Sequence, residues 1–68
     1  MEEIRGLQLK LRRVQARLMA WKVAQRAGIS PSMLSMLENE RRKLPPELGA
    51  RILRVIEQMA QEKANLGN

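Results

Sequence analysis

The side chains that could do chemistry in this 68-residue chain are carboxylates, hydroxyls and cations, because the sequence contains no cysteine and no histidine. Disulfides, thiolate chemistry, the usual zinc sites and the commonest general base are thereby excluded. Glu38 and Glu40 are two residues apart, so they would not share one face of a helix. No set of residues could run a reaction, and we expect no enzymatic activity, no cofactor and no metal.

The cations are the more informative group. Thirteen Lys and Arg residues against seven acidic residues give a net charge of +6. Residues 1–28 carry +5, residues 29–43 carry +1 and residues 44–68 sum to zero, with Arg41, Arg42 and Lys43 adjacent. This balance indicates an acidic partner, namely nucleic acid, an anionic membrane surface or an acidic protein, although Lys and Arg also simply solvate helices. We expect one surface for the acidic partner and another for packing.

Helices must position these cations, because only one residue is aromatic and no stretch alternates with period two. The first helix is predicted from a stripe of apolar residues at spacings of 3 and 4, which is typical of an amphipathic helix. The same stripe resembles a short coiled-coil seam, but two heptads are too few to stand alone. Between Ala16 and Met19 no residue breaks the helix, so one or two helices could cover residues 4–27. The stripe consists of Ile4, Leu7, Leu11, Val14 and Leu18.

The chain is expected to form a single domain spanning residues 1–68. Residues that typically end or begin helices divide its remainder into three further helices. A helix is predicted over 20–27, where Gly28 supplies a left-handed terminator. Ser30 as N-cap and Pro31 as first helical residue then open a helix over 31–38. After a polar loop, Pro45 and Pro46 precede a last helix over about 47–64. The tail, residues 65–68, is expected to be loose.

Two short helices joined through a glycine are the sequence form of a helix-turn-helix. Residues 20–39 resemble the motif of the phage repressor and Cro (XRE) family, and the flanking stretch LENERRKLPPELGARI resembles it too. Arg13 and Glu38 fall where that family often places a paired Arg and Glu. The resemblance covers residues 4–57 and implies an all-α, lambda-repressor-like bundle of four to five helices. The positions that match within the motif are Val23, Ala24, Ala27, Gly28, Ile29, Leu34 and Leu37.

The resemblance implies a sequence-specific, double-stranded-DNA-binding transcriptional regulator, most simply a repressor, whose helix 31–38 enters the major groove. It also implies a homodimer on a pseudo-palindromic operator. With no membrane span and no signal segment, the expected location is the cytoplasm, at the nucleoid. The base-contacting positions are Pro31, Ser32, Ser35 and Met36. The phosphate-contacting positions are Ser30, Lys22, Asn39, Arg41, Arg42 and Lys43.

The chain departs from the family pattern at several positions. Ala20 replaces a phosphate-binding Gln, Met19 replaces a Ser or Thr cap, and Arg17 and Glu40 stand where glycine is usual. The helix over 31–38 also offers no Arg, Gln, Asn or Lys to base edges, and serine hydroxyls discriminate poorly between bases. Specificity would then come from DNA shape, from a dimer or from a partner.

A rival interpretation is a protein-binding module that uses Met19, Trp21 and Met33 to bind a repressor or a polymerase component. Under that alternative these side chains contact a partner, whereas otherwise Trp21 packs along the first helix and Met33 belongs to the core. On the last helix, Ile56 and Met59 exceed what packing on the motif requires, so we expect a dimer surface there. The alternative is a helix that packs only on its own domain.

Overall fold

The architecture follows from four helices, in a computed structural model that describes residues 3–66. These are α1 (Gly6–Gln15), α2 (Ala20–Ala27), α3 (Pro31–Glu38) and α4 (Pro46–Leu66). The described residues contain no strand, so the predicted all-α bundle of four to five helices is confirmed. α2 packs against α3 and α4, and α1 also packs against α3 and α4.

The two helices of the motif have the predicted bounds, because their signals are local. Gly28 has φ 77°, the left-handed conformation that ends a helix. Ser30 caps α3 by accepting a hydrogen bond on its Oγ from the backbone N–H of Met33 at 3.1 Å. Pro31 is the first residue of α3, where its missing N–H leaves no intrahelical bond unmade.

α1 and α2 are separate helices, since α1 ends at Gln15 and α2 begins at Ala20. Arg17 takes the left-handed conformation with φ 57°. The N–H of Leu18 then donates to the carbonyl of Arg13 at 3.0 Å, and the N–H of Arg17 donates to the carbonyl of Val14 at 2.9 Å. This pair of bonds is the Schellman ending that glycine usually makes.

α3 ends in the same way. Glu40 has φ 58°, the N–H of Arg41 donates to the carbonyl of Met36 at 2.9 Å, and the N–H of Glu40 donates to the carbonyl of Leu37 at 3.2 Å. Arg17 and Glu40 therefore adopt the backbone conformation of the glycines that they replace. An L side chain in this conformation costs on the order of 1 kcal/mol.

The predicted apolar stripe is divided: Leu18 is buried and Ile4 packs against the core, but the three stripe residues within α1 face solvent. Leu9, outside that stripe, is fully buried, whereas Leu7, Leu11 and Val14 are 50%, 53% and 55% exposed. The inward side of α1 consists instead of residues at spacings of 3, 4 and 3, one of them charged. Two contacts set which side of α1 faces inward: the close approach of Gly6 to the backbone of α3, and the ion pair between Arg13 and Glu38. The spacing of apolar residues reveals neither contact. The inward residues are Gly6, Leu9, Arg13 and Ala16.

The core lies where all four helices meet. Ile56 belongs to it, with only 2% of its surface exposed, and Met59 is half-buried against it. Ile56, expected at a dimer surface, is thus covered by its own domain, and a dimer contact at Met59 stays a prediction. The buried apolar residues are Leu9, Leu18, Val23, Ala24, Ala27, Leu34, Leu37, Ile52, Val55 and Ile56.

α4 is longer at both ends than predicted. It begins at Pro46 and continues to Leu66, so residues 65 and 66 of the expected tail are helical, while residues 67 and 68 lie outside the described residues. Despite its 21 residues, it lacks the apolar length needed to cross a bilayer, as do the other helices of the part described.

The contact between α1 and α3 generates a first prediction. A Cβ atom at Gly6 would overlap the backbone carbonyl oxygen of Leu37, which cannot move without shifting α3. We expect Gly6→Ala to destabilise the fold by about 2 kcal/mol or more, despite the better helix propensity of alanine. Urea unfolding followed by circular dichroism measures this. Gly49→Ala is the matched control, since the nearest atoms to its Cβ would be those of side chains, Leu44 at 3.2 Å and Ile4 at 3.8 Å, and not of the backbone. Equal stability of the two variants would contradict the close packing of α1 on α3.

The left-handed residue at the end of α1 generates a second prediction. We expect Arg17→Gly to stabilise the protein by about 0.5 kcal/mol, because relief of the left-handed strain exceeds the added entropy of the unfolded chain. Arg17→Ala removes the same side chain but keeps the Cβ, so it should give no gain. Thermal and urea unfolding of the pair decide the point. A glycine variant less stable than the alanine variant would be incompatible with strain at this position.

Candidate nucleic-acid interface

α3 presents its outer side because Leu34 and Leu37 are buried in the core. Ser32, Ser35 and Met36 lie on the opposite side of the helix, where the two serines are exposed and Met36 is half-buried. Pro31 is exposed at the start of the helix. The four predicted base-contacting residues thus form an uncharged outer face on a helix of eight residues.

A buried ion pair holds α3 in this orientation. Arg13 Nε donates to Glu38 Oε2 at 2.7 Å, and Arg13 Nη2 donates to Glu38 Oε1 at 3.0 Å. The side chains are only 14% and 4% exposed, respectively. Arg13 Nη1 also donates to the backbone carbonyl of Leu18 at 2.9 Å. One guanidinium therefore joins α1, the end of α3 and the turn before α2.

A polar network lies at the end of α3. Lys10 Nζ donates to Asn39 Oδ1 at 3.0 Å, and Asn39 Nδ2 donates to the carbonyl of Ser35 at 2.9 Å. Asn39, a predicted phosphate contact, thus caps the C-terminal end of α3 with its side chain and holds the Lys10 ammonium beside that end. Lys10 was missed as a site residue. It precedes Arg13 by three residues, so the expected pairing of Arg13 with Glu38 was the signal that Lys10 also faces α3.

The basic triplet follows this network. Arg41, Arg42 and Lys43 are exposed, and no carboxylate within residues 3–66 pairs with them. They line a cleft of about 390 Å³ with Arg5, which the sequence did not identify. Arg5 Nη2 donates to Glu40 Oε2 at 2.8 Å. Cations from the start of α1 and from the loop after α3 therefore share one surface.

The remaining predicted contacts lie at the start of the motif. Lys22 is exposed on α2, and its Nζ lies 5.5 Å from the centroid of the Trp21 ring, in cation–π range. Ser30 uses its Oγ as an acceptor for the α3 cap, which leaves its hydroxyl hydrogen as a donor. Met19 and Trp21 are exposed, whereas Met33 is half-buried against the core.

α4 makes polar contacts with α2 and with the turn that precedes it. Arg51 Nη1 donates to the terminal carbonyl of α2 at Ala27, at 3.1 Å, and Lys63 Nζ donates to the carbonyl of Arg17 at 2.8 Å. Arg26 donates two hydrogen bonds to the Glu62 carboxylate, and these bonds lower the pKa of Glu62. The stabilisation from this pair is therefore present above the ordinary pKa of glutamate and is lost as the pH falls through the lowered value.

The buried pair at Glu38 generates a third prediction. We expect Glu38→Gln to lower the free energy of unfolding by about 2 to 3 kcal/mol, because it leaves the Arg13 guanidinium without its charge partner in a desolvated site. Glu40→Gln breaks the exposed pair with Arg5 and should cost less than about 1 kcal/mol. Urea unfolding of the two variants, followed by circular dichroism, measures both losses. Similar losses would mean that the buried pair does not anchor α3.

Comparisons with known proteins agree with this geometry. A family model described as Helix-turn-helix matches residues 9–57 of the 68. The match begins in α1, contains all of α2 and α3, and ends within α4. Neither the comparison with curated proteins nor the comparison with solved structures finds a match.

Proposed function

The chain belongs to the helix-turn-helix family of DNA-binding transcription regulators of the phage repressor and Cro type, and from this premise we propose that it is a repressor that reads duplex DNA with α3. The observation that carries the proposal is the exposed, uncharged outer face of α3, which is flanked by unpaired cations. An α-helix with its side chains is about 10 to 12 Å in diameter, which suits a major groove about 12 Å wide.

The phosphate contacts in this proposal come from both sides of α3. Arg41, Arg42 and Lys43 bind the backbone beyond the end of the helix, and Lys22 and the Ser30 hydroxyl bind it near the start. Asn39 and Lys10 act together, because the hydrogen bond between them holds the ammonium beside the helix end. These contacts position α3 but carry no sequence information themselves.

Base reading in this proposal falls to Pro31, Ser32, Ser35 and Met36. Serine hydroxyls accept from or donate to several bases, and Met36 offers only apolar contact, for instance with a thymine methyl group. Direct readout is therefore modest, and the shape and deformability of the operator contribute the remaining preference. Two copies would bind a pseudo-palindromic site with half-sites about 34 Å apart. The discrimination free energies of the two half-sites add, so the affinity ratio between correct and incorrect sites is squared. The bound protein then excludes polymerase from a promoter on the cytoplasmic chromosome.

The rival protein-binding module draws less support from the structure. Met33 packs against the core, so one of its three side chains is already used inside the fold. Trp21 and Met19 are exposed, but the Lys22 ammonium lies near the Trp21 ring and brings charge to that surface.

The DNA-binding proposal predicts a specific loss in the double variant Arg41→Ala/Arg42→Ala. Its affinity should fall at least about tenfold for every duplex tested, because two phosphate contacts disappear. The slope of log affinity against log salt concentration should decrease in magnitude by about two, one for each lost contact. Fluorescence anisotropy with labelled duplexes at several salt concentrations measures both quantities.

The matched control is Arg12→Ala/Arg54→Ala, which reduces the net charge equally. Neither residue is among the contacts proposed above: Arg12 faces Glu57 on α4 at 3.7 Å, and Arg54 is exposed on α4. This control should retain the salt slope of the wild type. If both double variants lose the same slope, binding reflects net charge alone and the loop after α3 is not the clamp.

A further inference from the structure

A carboxylate stands inside the most basic part of the surface. Glu40 lines the cleft of about 390 Å³ that the loop after α3 forms with the start of α1. In the proposed function this surface binds phosphate, and a carboxylate there repels the anion that the cations attract. Glu40 therefore works against the cations beside it. The charged residues that line the cleft are Glu3, Arg5, Glu40, Arg41, Arg42 and Lys43.

The Glu40 side chain is not needed to end α3. Glu40 has φ 58°, in the left-handed region where an L side chain is strained and glycine is not. Its N–H donates to the carbonyl of Leu37 at 3.2 Å, and glycine would make the same turn with the same hydrogen bond. The role of the carboxylate must therefore be sought in its own contacts.

The Glu40 carboxylate holds the guanidinium of Arg5. Arg5 Nη2 donates to Glu40 Oε2 at 2.8 Å, and the two side chains are 71% and 36% exposed. The backbone of Arg5 is fixed at the start of α1, where its N–H donates to Gln8 Oε1 at 2.8 Å. The exposed guanidinium can therefore exchange Glu40 for another anion while its backbone stays in place.

A DNA phosphate and the Glu40 carboxylate are the same kind of partner for Arg5. A guanidinium donates two parallel hydrogen bonds to either group. Arg5 lines the same cleft as Arg41 and Arg42, so a phosphate in this cleft meets the loop cations and Arg5 together. An exposed ion pair is weak, so Glu40 would reduce the affinity for DNA without preventing binding.

We propose that Glu40 is an intramolecular competitor for backbone phosphate, and that Arg5 is a phosphate-binding residue that Glu40 occupies in the free protein. The competition sets how tightly the protein holds any duplex. It leaves the base preference of α3 unchanged, because phosphate contacts carry no sequence information. Only the identity of the ligand, duplex DNA, rests on the proposed function, since the competition between carboxylate and phosphate is independent of base reading.

A double-variant cycle of Glu40→Gln and Arg5→Ala provides the test, with duplex affinity measured by fluorescence anisotropy at several salt concentrations. Glu40→Gln should raise the affinity at least about threefold near 0.1 M salt and increase the magnitude of the salt slope by about one, because Arg5 gains a phosphate. Arg5→Ala should weaken binding at least about twofold more in the Glu40→Gln background than in the wild type, because only there is Arg5 free to bind DNA.

Glu57→Gln is the matched control, because it removes one carboxylate charge from another exposed pair. Glu57 Oε2 lies 3.7 Å from Arg12 Nη1, and neither residue is among those that line the cleft. This control should keep the salt slope of the wild type. Circular dichroism verifies that every variant is folded.

Two results of the cycle would overturn the proposal. Equal effects of Arg5→Ala in the two backgrounds would mean that Glu40 acts through net charge alone. A lower affinity of Glu40→Gln would mean that Glu40 positions Arg5 on the phosphate instead of competing with it.

Titration with inorganic tripolyphosphate, followed by NMR chemical shifts, separates the competition from the proposed function. Glu40→Gln should bind tripolyphosphate more tightly than the wild type does, because the probe carries phosphate but no bases. That result in a protein that binds no duplex would count against the proposed function alone. Duplex binding that Glu40→Gln leaves unchanged would count against the competition alone.

Discussion

The rest of the structure depends on the buried ion pair between Arg13 and Glu38. The two groups are nearly desolvated, so each requires the other, and the bidentate geometry permits little variation. The pair sets the rotation of α1 about its own axis, fixes the end of α3 and, through the carbonyl of Leu18, fixes the turn that leads into α2. The outer face of α3 is thus held by a charge interaction in addition to apolar packing.

The rotation of α1 explains the largest difference between the sequence prediction and the structure. Apolar periodicity alone predicts one stripe, but it does not say which way that stripe faces. The approach of Gly6 to the backbone of Leu37 and the inward guanidinium of Arg13 turn Leu9 to the core and leave Leu11 outside. These constraints join residues 25 and 31 positions apart in the chain, whereas apolar periodicity reflects only residues within a few positions of each other.

Local signals, by contrast, were sufficient for the motif. Gly28, Ser30 and Pro31 act within a few residues of their own positions, so the bounds of α2 and α3 could be predicted from the sequence. The end of α1 could not, because an arginine takes the left-handed conformation usually given to glycine. The inward position of Ile56 was also hidden, since the last helix shows more apolar positions than the motif requires and only the packing decides which of them are covered.

Selection of bound duplexes from a random pool would test whether the outer face of α3 reads DNA in the major groove. The wild type and the variant Ser32→Ala/Ser35→Ala would be selected in parallel at two salt concentrations. We expect the wild type to enrich an inverted repeat with half-sites one helical turn apart, and the variant to enrich a more degenerate repeat with the same spacing. Binding without enrichment, strongly weakened by salt, would contradict this expectation, because α3 would then read nothing.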